Sequence, residues 1–332
     1  MTPSRIACLL VALPLLAHAQ AVKPVFRAHN VDNQVQIGYG LAIADVQGDG
    51  KPDILLADKT QFVWYEAPHW DKHVLAENLT KRDNVCIAAR DIDGDGKCEI
   101  AVGAEWNPSD TVNSGAVFYL IAPEDRKQKW EPVKLPHEPT VHRMKWVRRS
   151  PGRIDLVVLP LHGRGTKDGE GEGVRALAYR MPKNPRDEWK TEVISSDMHL
   201  THNFDVVPRT DDPALEAVVI GGREGLTTVF WDKDKVQSNH TLNHFRYEPE
   251  QLGFGEVRAG RLSKETAIVA SIEPMHGSTL AVYFVNTAKP VTLTPQRGEL
   301  DTTLKDGHAL ACGDLVGLGR DQIVVGWRAN AE

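Results

Sequence analysis

Five of the 13 histidines, His142, His162, His202, His276 and His308, recur at related positions in a repeated pattern. His142, His202 and His308 each lie six residues ahead of a strand end, at Arg148, Pro208 and Asp314. Imidazole nitrogens suit Zn2+ or a similar borderline divalent ion. Such an ion with an open coordination position polarises a carbonyl oxygen and acidifies the adjacent C–H. Another imidazole then moves the proton near neutral pH. His142, His202 and His308 are the expected metal ligands, and His162 and His276 the expected acid and base. Arg223 and Arg328, in the same register, are expected to steady an enolate oxygen or a carboxylate. The bland alternative is that these side chains are solvated lining of a polar channel.

A second constellation is made of carboxylates. Asp91-Ile-Asp93-Gly-Asp95-Gly-Lys97-Cys-Glu99 presents oxygens at alternate positions, with two glycines allowing a tight path. Lys97 offers its carbonyl and Glu99 closes the set, an arrangement that suits six to eight oxygens around Ca2+. Asp45-Val-Gln47-Gly-Asp49-Gly-Lys-Pro-Asp53 repeats the pattern with Gln47 in place of one carboxylate, so weaker binding is expected. The turn from Asp314 to Asp321 has Val316 and Leu318 at ligand positions and is expected to be an ordinary turn. No flanking helices or twelfth-position Glu fit an EF-hand. Asp side chains that merely cap backbone N–H groups are the alternative.

The elements that must position these groups are short β-strands. Leu41–Ala44, Ile87–Ala89, Met144–Val147, Phe204–Val207, Val257–Ala259 and Ala309–Cys312 each open a unit. Further apolar runs follow, such as Asp53–Ala57, Ala116–Ile121, Ile154–Leu159, Thr227–Trp231 and Leu280–Val285. Units of about 50 residues with four strands are the signature of a β-propeller. Five repeats are complete and a sixth has two strands, so Val25–Val31 is a candidate strand for the last blade. Hairpin register then pairs Tyr39 with Lys59, Val85 with Glu105, His142 with His162, His202 with Arg223, Gly255 with His276 and His308 with Arg328. All of them converge on one channel mouth. Trp64, Trp106, Trp146, Trp231 and Trp327 are expected between blades, and Trp106 and Trp327 could also stack on a sugar. The Gly-rich stretch 162–173 reads as a rim-side loop, either a lid or a loose insertion.

On the two carboxylate loops the chain resembles the FG-GAP/VCBS repeat propellers. On Trp64-Tyr-Glu-Ala-Pro68, Gly307-His-Ala-Leu-Ala-Cys-Gly-Asp314 and Ile323-Val-Val-Gly-Trp-Arg328 it is similar to the propeller domain of the aldos-2-ulose dehydratase/isomerase family. That resemblance implies an all-β, seven-bladed propeller and metal-dependent elimination on keto-sugars. This sequence stops inside its sixth repeat and carries no downstream cupin-like segment.

Arg5, the apolar run Ile6–Leu16 and Ala17-His-Ala19 form the pattern of a cleavable signal peptide over residues 1–19, leaving 20–332 as the propeller. A secreted or periplasmic location is expected, with no membrane span. With 39 Lys and Arg against 45 Asp and Glu, the chain carries a net charge of −6 and no basic block, a poor fit to nucleic acid. Cys86, Cys98 and Cys312 make no disulfide framework, although a Cys86–Cys98 bridge stays open. No Gly-x-Ser-x-Gly or Cys/His nucleophile arrangement is present. The sequence reading is an exported carbon–oxygen lyase acting on a keto-sugar or related carbohydrate. The alternative is a non-catalytic, Ca2+-stabilised propeller that binds a glycan or a protein.

Overall fold

The computed structural model describes residues 25–167, 169–240, 253–287 and 296–328 and, of residues 239 and 240, the backbone alone. The expected leader over residues 1–19 and His244 lie outside the described residues. The first antiparallel sheet is β1 (Gly40–Ala44), β2 (Asp53–Ala57), β3 (Gln61–Glu66) and β4 (Asp71–Glu77). The second is β5 (Cys86–Arg90), β6 (Glu99–Ala104), β7 (Ala116–Ile121) and β8 (Glu131–Leu135). The third is β9 (Val141–Ser150), β10 (Arg153–Pro160), β11 (Ala176–Arg180) and β12 (Lys190–Ser195). The fourth is β13 (Thr201–Pro208), β14 (Glu216–Gly222), β15 (Gly225–Asp232) and β16 (Lys235–His240). The fifth is β17 (Val257–Arg261), β18 (Thr266–Glu273), β19 (Thr279–Asn286) and β20 (Gln296–Asp301). The sixth holds β21 (Gly307–Gly313) and β22 (Gln322–Trp327). There is no helix among the described residues, and the fold is an all-β propeller.

Burial explains the strand sequences. Central strands such as β7 (AVFYLI) are covered on both faces by the next blades and are apolar throughout. Outer strands such as β8 (EPVKL) face water and carry charges. Apolar clusters join each sheet to its successor. Phe62, Trp64 and Leu75 pack with Ile100, Val102 and Leu120, and Tyr119 and Trp146 with Leu156 and Trp189. Val157 and Leu159 pack with Phe204 and Trp231, Val219 and Leu226 with Val257 and Tyr283, and Ile272 with Leu310. Cys86 and Cys98 are buried free thiols in these interfaces, not a disulfide.

The blades approach closely at their inner ends. A Cβ on Gly103 would meet Cys86 Sγ at 2.5 Å and Val141 Cγ1 at 2.9 Å, so glycine is required for that approach. At the other end of the inner strands, Gly94 and Gly96 hold φ of 87°, the left-handed region glycine enters without a steric cost.

Residues 25–30 form no strand, contrary to the expectation for Val25–Val31. Backbone amides of Gln36, Ile37 and Gly38 instead donate to the Asp58 carboxylate at 2.8–3.3 Å, and Val31 packs on Leu56, Val63 and Tyr65. The stretch nevertheless reaches the sixth sheet, where Phe26 lines an apolar hollow with Leu315, Val316, Ile323, Val324 and Val325.

Candidate metal centre

Three first strands carry an extra residue at the same end. Thr201 pairs with Gly222 and Asn203 with Gly221, which leaves His202 unpaired. Gly307 pairs with Trp327 and Ala309 with Gly326, which leaves His308 unpaired. Val141 pairs with Pro160 and Arg143 with Leu159, which leaves His142 unpaired. The expected pairs His142–His162, His202–Arg223 and His308–Arg328 are therefore not made. A β-bulge re-aims its extra side chain, and here three bulges turn three imidazoles to one place.

His276, on the segment after β18, completes the group. Its Nε2 lies 2.7 Å from Nε2 of His202. Ring centroids are 4.6 Å apart for His202–His276, 4.4 Å for His276–His308 and 5.6 Å for His202–His308. One nitrogen from each of His202, His276 and His308 lies within 4.8 Å of the others. His142 meets His202 edge-on at 4.9 Å and stacks flat on Trp106 at 5.0 Å and 19°. Thus His276, expected as an acid or base, joins the ligand group, and His142 backs it. Among the described residues no ring contact joins His162 to the four. Its backbone is nonetheless tied to the same rim, through Thr140 Oγ1 and a bridge to Leu200.

Burial dominates the electrostatics. It lowers His142 well below the ordinary imidazole value, aided by Arg143 and His202. Burial, then Arg328, His276 and His202, push His308 down to about 4. Burial, His202 and Arg328 lower His276, and burial and Arg223 lower His162. All four are neutral at pH 7, the form that offers a lone pair to a metal.

A residue absent from the sequence reading stands behind the group. Glu256, 2 % exposed, places Oε1 3.4 Å from His202 Nδ1, without the alignment of a hydrogen bond. Asn203 Nδ2 donates to Glu256 Oε2 at 2.6 Å, and Arg258 and Arg143 reach the carboxylate at 3.4 Å and 3.8 Å. Burial alone would raise this carboxyl, but His202, Arg258 and Arg143 hold it down at about 2. Its only sequence signal is an acid directly ahead of an inner strand.

The rim arginines are already engaged. Arg328 Nε lies 3.3 Å from Asp306, whose carboxylate is also 3.6 Å from His276 Nδ1. Arg223 donates to Gly169 O at 2.9 Å. The 162–173 loop is held further by Gly165 N to Thr111 O, Thr111 Oγ1 to Thr166 O and Arg164 to Glu138. His199 pairs with Glu224, away from the imidazole group.

The carboxylate loops lie at the other end of the inner strands. Oxygens of Asp91, Asp93 and Glu99 fall within 4.8 Å of one another. They also serve the turn: Asp91 accepts Gly94 N at 2.7 Å and Gly96 N at 3.0 Å. Asp95 accepts Lys97 N at 2.8 Å. Burial, Asp93 and Asp95 raise Glu99 to about 7 despite a bond from Ile92 N. In the other loop Asp45 accepts Gly48 and Gly50 N, each at 2.7 Å, and Asp49 binds Lys51 Nζ. Asp53 accepts Val46 and Ala67 N, each at 2.9 Å, while the Gln47 amide turns to Glu66. Those four side chains, like those of the Asp91 loop, also serve the turn and its neighbours.

A divalent metal fits the imidazole group. The donor set is all nitrogen. Buried Nδ1 atoms of His142, His202 and His308 have no hydrogen-bond partner in the protein, and the Nε2 atoms of His202 and His276 face each other.

Residues 114–286 match the family described as aldos-2-ulose dehydratase, beta-propeller domain. No curated protein sequence matches the chain. Among solved structures, a protein of unknown function from Dyadobacter fermentans aligns with a TM-score of 0.50 at 9 % identity, over 90 % of this chain and 96 % of that chain, a likeness of fold alone. SapL1 lectin in complex with alpha methyl fucoside aligns at 0.47 and 10 % identity, over 87 % and 89 %. The PQQ-bound aldose sugar dehydrogenase of Streptomyces coelicolor aligns at 0.44 and 12 % identity, over 88 % and 96 %.

Proposed function

Because the chain belongs to the family of the aldos-2-ulose dehydratase β-propeller domain, we propose that it is an exported, metal-dependent carbon–oxygen lyase acting on a keto-sugar or related carbohydrate. The observation that carries this reading is the convergence of His202, His276 and His308 within 4.8 Å at one channel mouth. Those three side chains would hold Zn2+ or a similar divalent ion, which when bound would polarise a sugar carbonyl and acidify its neighbouring C–H. His142, packed between Trp106 and His202, keeps the His202 ring from swinging away. His162 takes the proton: it is half-buried, tied to the same rim and kept neutral by burial and Arg223. Arg328, beside His276 and His308, steadies the developing oxyanion. The C–H electron pair forms the new double bond, the β C–O bond breaks, and the hydroxyl leaves as water with the proton that His162 took.

The test is the ultraviolet absorbance of an enone when keto-sugars are supplied with Zn2+. A signal lost on chelation and in His308→Ala is expected. Tight Zn2+ binding with no product from any keto-sugar would overturn the lyase and leave a glycan-binding propeller.

The Asp91 loop is proposed as a structural Ca2+ site, held by Asp91, Asp93, Glu99 and the Lys97 carbonyl. Like charge and burial on Glu99 favour a cation there. Ca2+ is expected to raise the melting temperature of the wild-type chain and not that of Asp93→Asn. Equal shifts in both would contradict the site.

A further inference from the structure

We propose that Glu256 is the positioning residue of the histidine centre: its carboxylate, 3.4 Å from His202 Nδ1, keeps the proton on that nitrogen and so fixes the tautomer whose bare Nε2 faces the channel mouth. The inference rests on the reading of the imidazole group as a metal centre. Second-shell carboxylates commonly orient metal-ligating histidines in this way.

The carboxylate is clamped from the side away from His202. Phe204 N donates to Asn203 Oδ1 at 2.8 Å, which turns the Asn203 amide nitrogen to Glu256 Oε2 at 2.6 Å. Arg258 faces the same oxygen. Oε1 faces His202 Nδ1 at 3.4 Å and Arg143 at 3.8 Å, and neither Oε1 nor His202 Nδ1 has a hydrogen-bond partner.

Two carboxylates compete for the proton arrangement of the His202–His276 pair. With Nδ1–H on His202, its Nε2 accepts and His276 Nε2 must donate, so the lone pair of His276 Nδ1 faces Asp306 at 3.6 Å. With the reverse arrangement, the His202 Nδ1 lone pair faces Glu256. The first clash is at the surface, where the His276 and Asp306 side chains are 40 % and 37 % exposed. The second is dry, with His202 and Glu256 only 4 % and 2 % exposed. Repulsion at nearly equal distance is far stronger where water is excluded, so Glu256 decides the tautomer.

A purely structural Glu256 would only neutralise Arg143 and Arg258. Glu256→Gln separates the roles. Asn203 donates to the Oε2 position and the Arg258 cation faces it, so they hold the amide oxygen there and turn the new NH2 toward His202 Nδ1. That nitrogen must then accept, and the proton moves to Nε2.

Heteronuclear NMR of the imidazole nitrogens in the metal-free protein reads this directly. The expected result is Nδ1–H on His202 in the wild type and Nε2–H in Glu256→Gln. Zn2+ affinity is expected to fall about 10- to 100-fold in the variant. Nε2–H on His202 in the wild type overturns the proposal, as does wild-type Zn2+ affinity in a folded Glu256→Gln. Should that variant fail to fold, Glu256→Asp keeps the charge, is expected to keep Nδ1–H, and overturns the proposal if it does not. Should wild-type chain bind no Zn2+, the metal reading fails, and the His202 tautomer alone then decides the role of Glu256.

Discussion

At His142, His276 and His308 one physical cause acts three times. Burial strips the water that would solvate an imidazolium, and nearby cationic groups oppose a further positive charge. Their folded values lie below the ordinary imidazole value of 6.5. The unfolded chain therefore binds more protons between about 6.5 and the folded values, and stability rises with pH across that window. In metal-free Glu99→Gln protein, which lacks the opposing contribution of a carboxyl raised to about 7, the melting temperature is expected to be level above pH 6.5 and to fall as pH drops from 6.5 toward 4. Glu256 acts in a lower window. Its folded value of about 2 lies under the ordinary 4.5, so its contribution is present above 4.5 and lost as pH falls toward 2. Thermal melts of that variant, chelator-treated, check both windows, and a midpoint unchanged between pH 6.5 and 4 would contradict neutral buried imidazoles.

The bulged inner strands are the elements that make a site from residues far apart in the chain. Their aim depends on close packing of one blade's end on the next, which Gly103 permits. Gly103→Ala is expected to cost about 1–3 kcal/mol through overpacking against Cys86 and Val141. Urea unfolding measures it, and a change under about 0.5 kcal/mol would mean the approach is looser than described. The strands that build the blades were legible in the sequence because apolar runs mark them: β7 matches the expected Ala116–Ile121 residue for residue. β16 (KVQSNH) and β20 (QRGELD) were not, because an outermost strand shows water one face and carries no apolar run. Trp130 and Trp189 stand just ahead of the outer strands β8 and β12. Both are buried, with indole N–H groups bonded to backbone carbonyls four residues back. Convergence of His142, His202 and His308 could be read from their common offset to strand ends. The bulges could not, since an extra residue leaves the apolar pattern after it intact. Nor could Glu256, whose meaning comes from Asn203 and His202 on a neighbouring blade.

Across the whole molecule, successive sheets are joined by buried clusters, but among the described residues none joins the sixth sheet to the first. Leu41 on β1 is 68 % exposed, and Val324 on β22 is 47 % exposed beside Phe26. Leu41→Thr with Val324→Thr is expected to change stability by less than about 0.5 kcal/mol, whereas a loss of several kcal/mol would mean these faces are covered. The arc is braced at the mouth opposite the histidines. Arg90 on β5 donates to both oxygens of Glu216 on β14 at 2.8 and 3.0 Å, bridging sheets two and four past sheet three. Glu216→Ala is expected to cost about 1.5–3 kcal/mol by leaving Arg90 with Trp146 O alone and Arg148 N without this acceptor, again read by urea unfolding, and no loss would make the bridge incidental. The account as a whole stands on the three imidazoles acting as one ligand set. Calorimetric titration of metal-free wild type, His308→Ala and Asp93→Asn with Zn2+ tests this directly. One tight site kept in Asp93→Asn and lost in His308→Ala is the predicted result, and Zn2+ uptake by His308→Ala equal to wild type would contradict it.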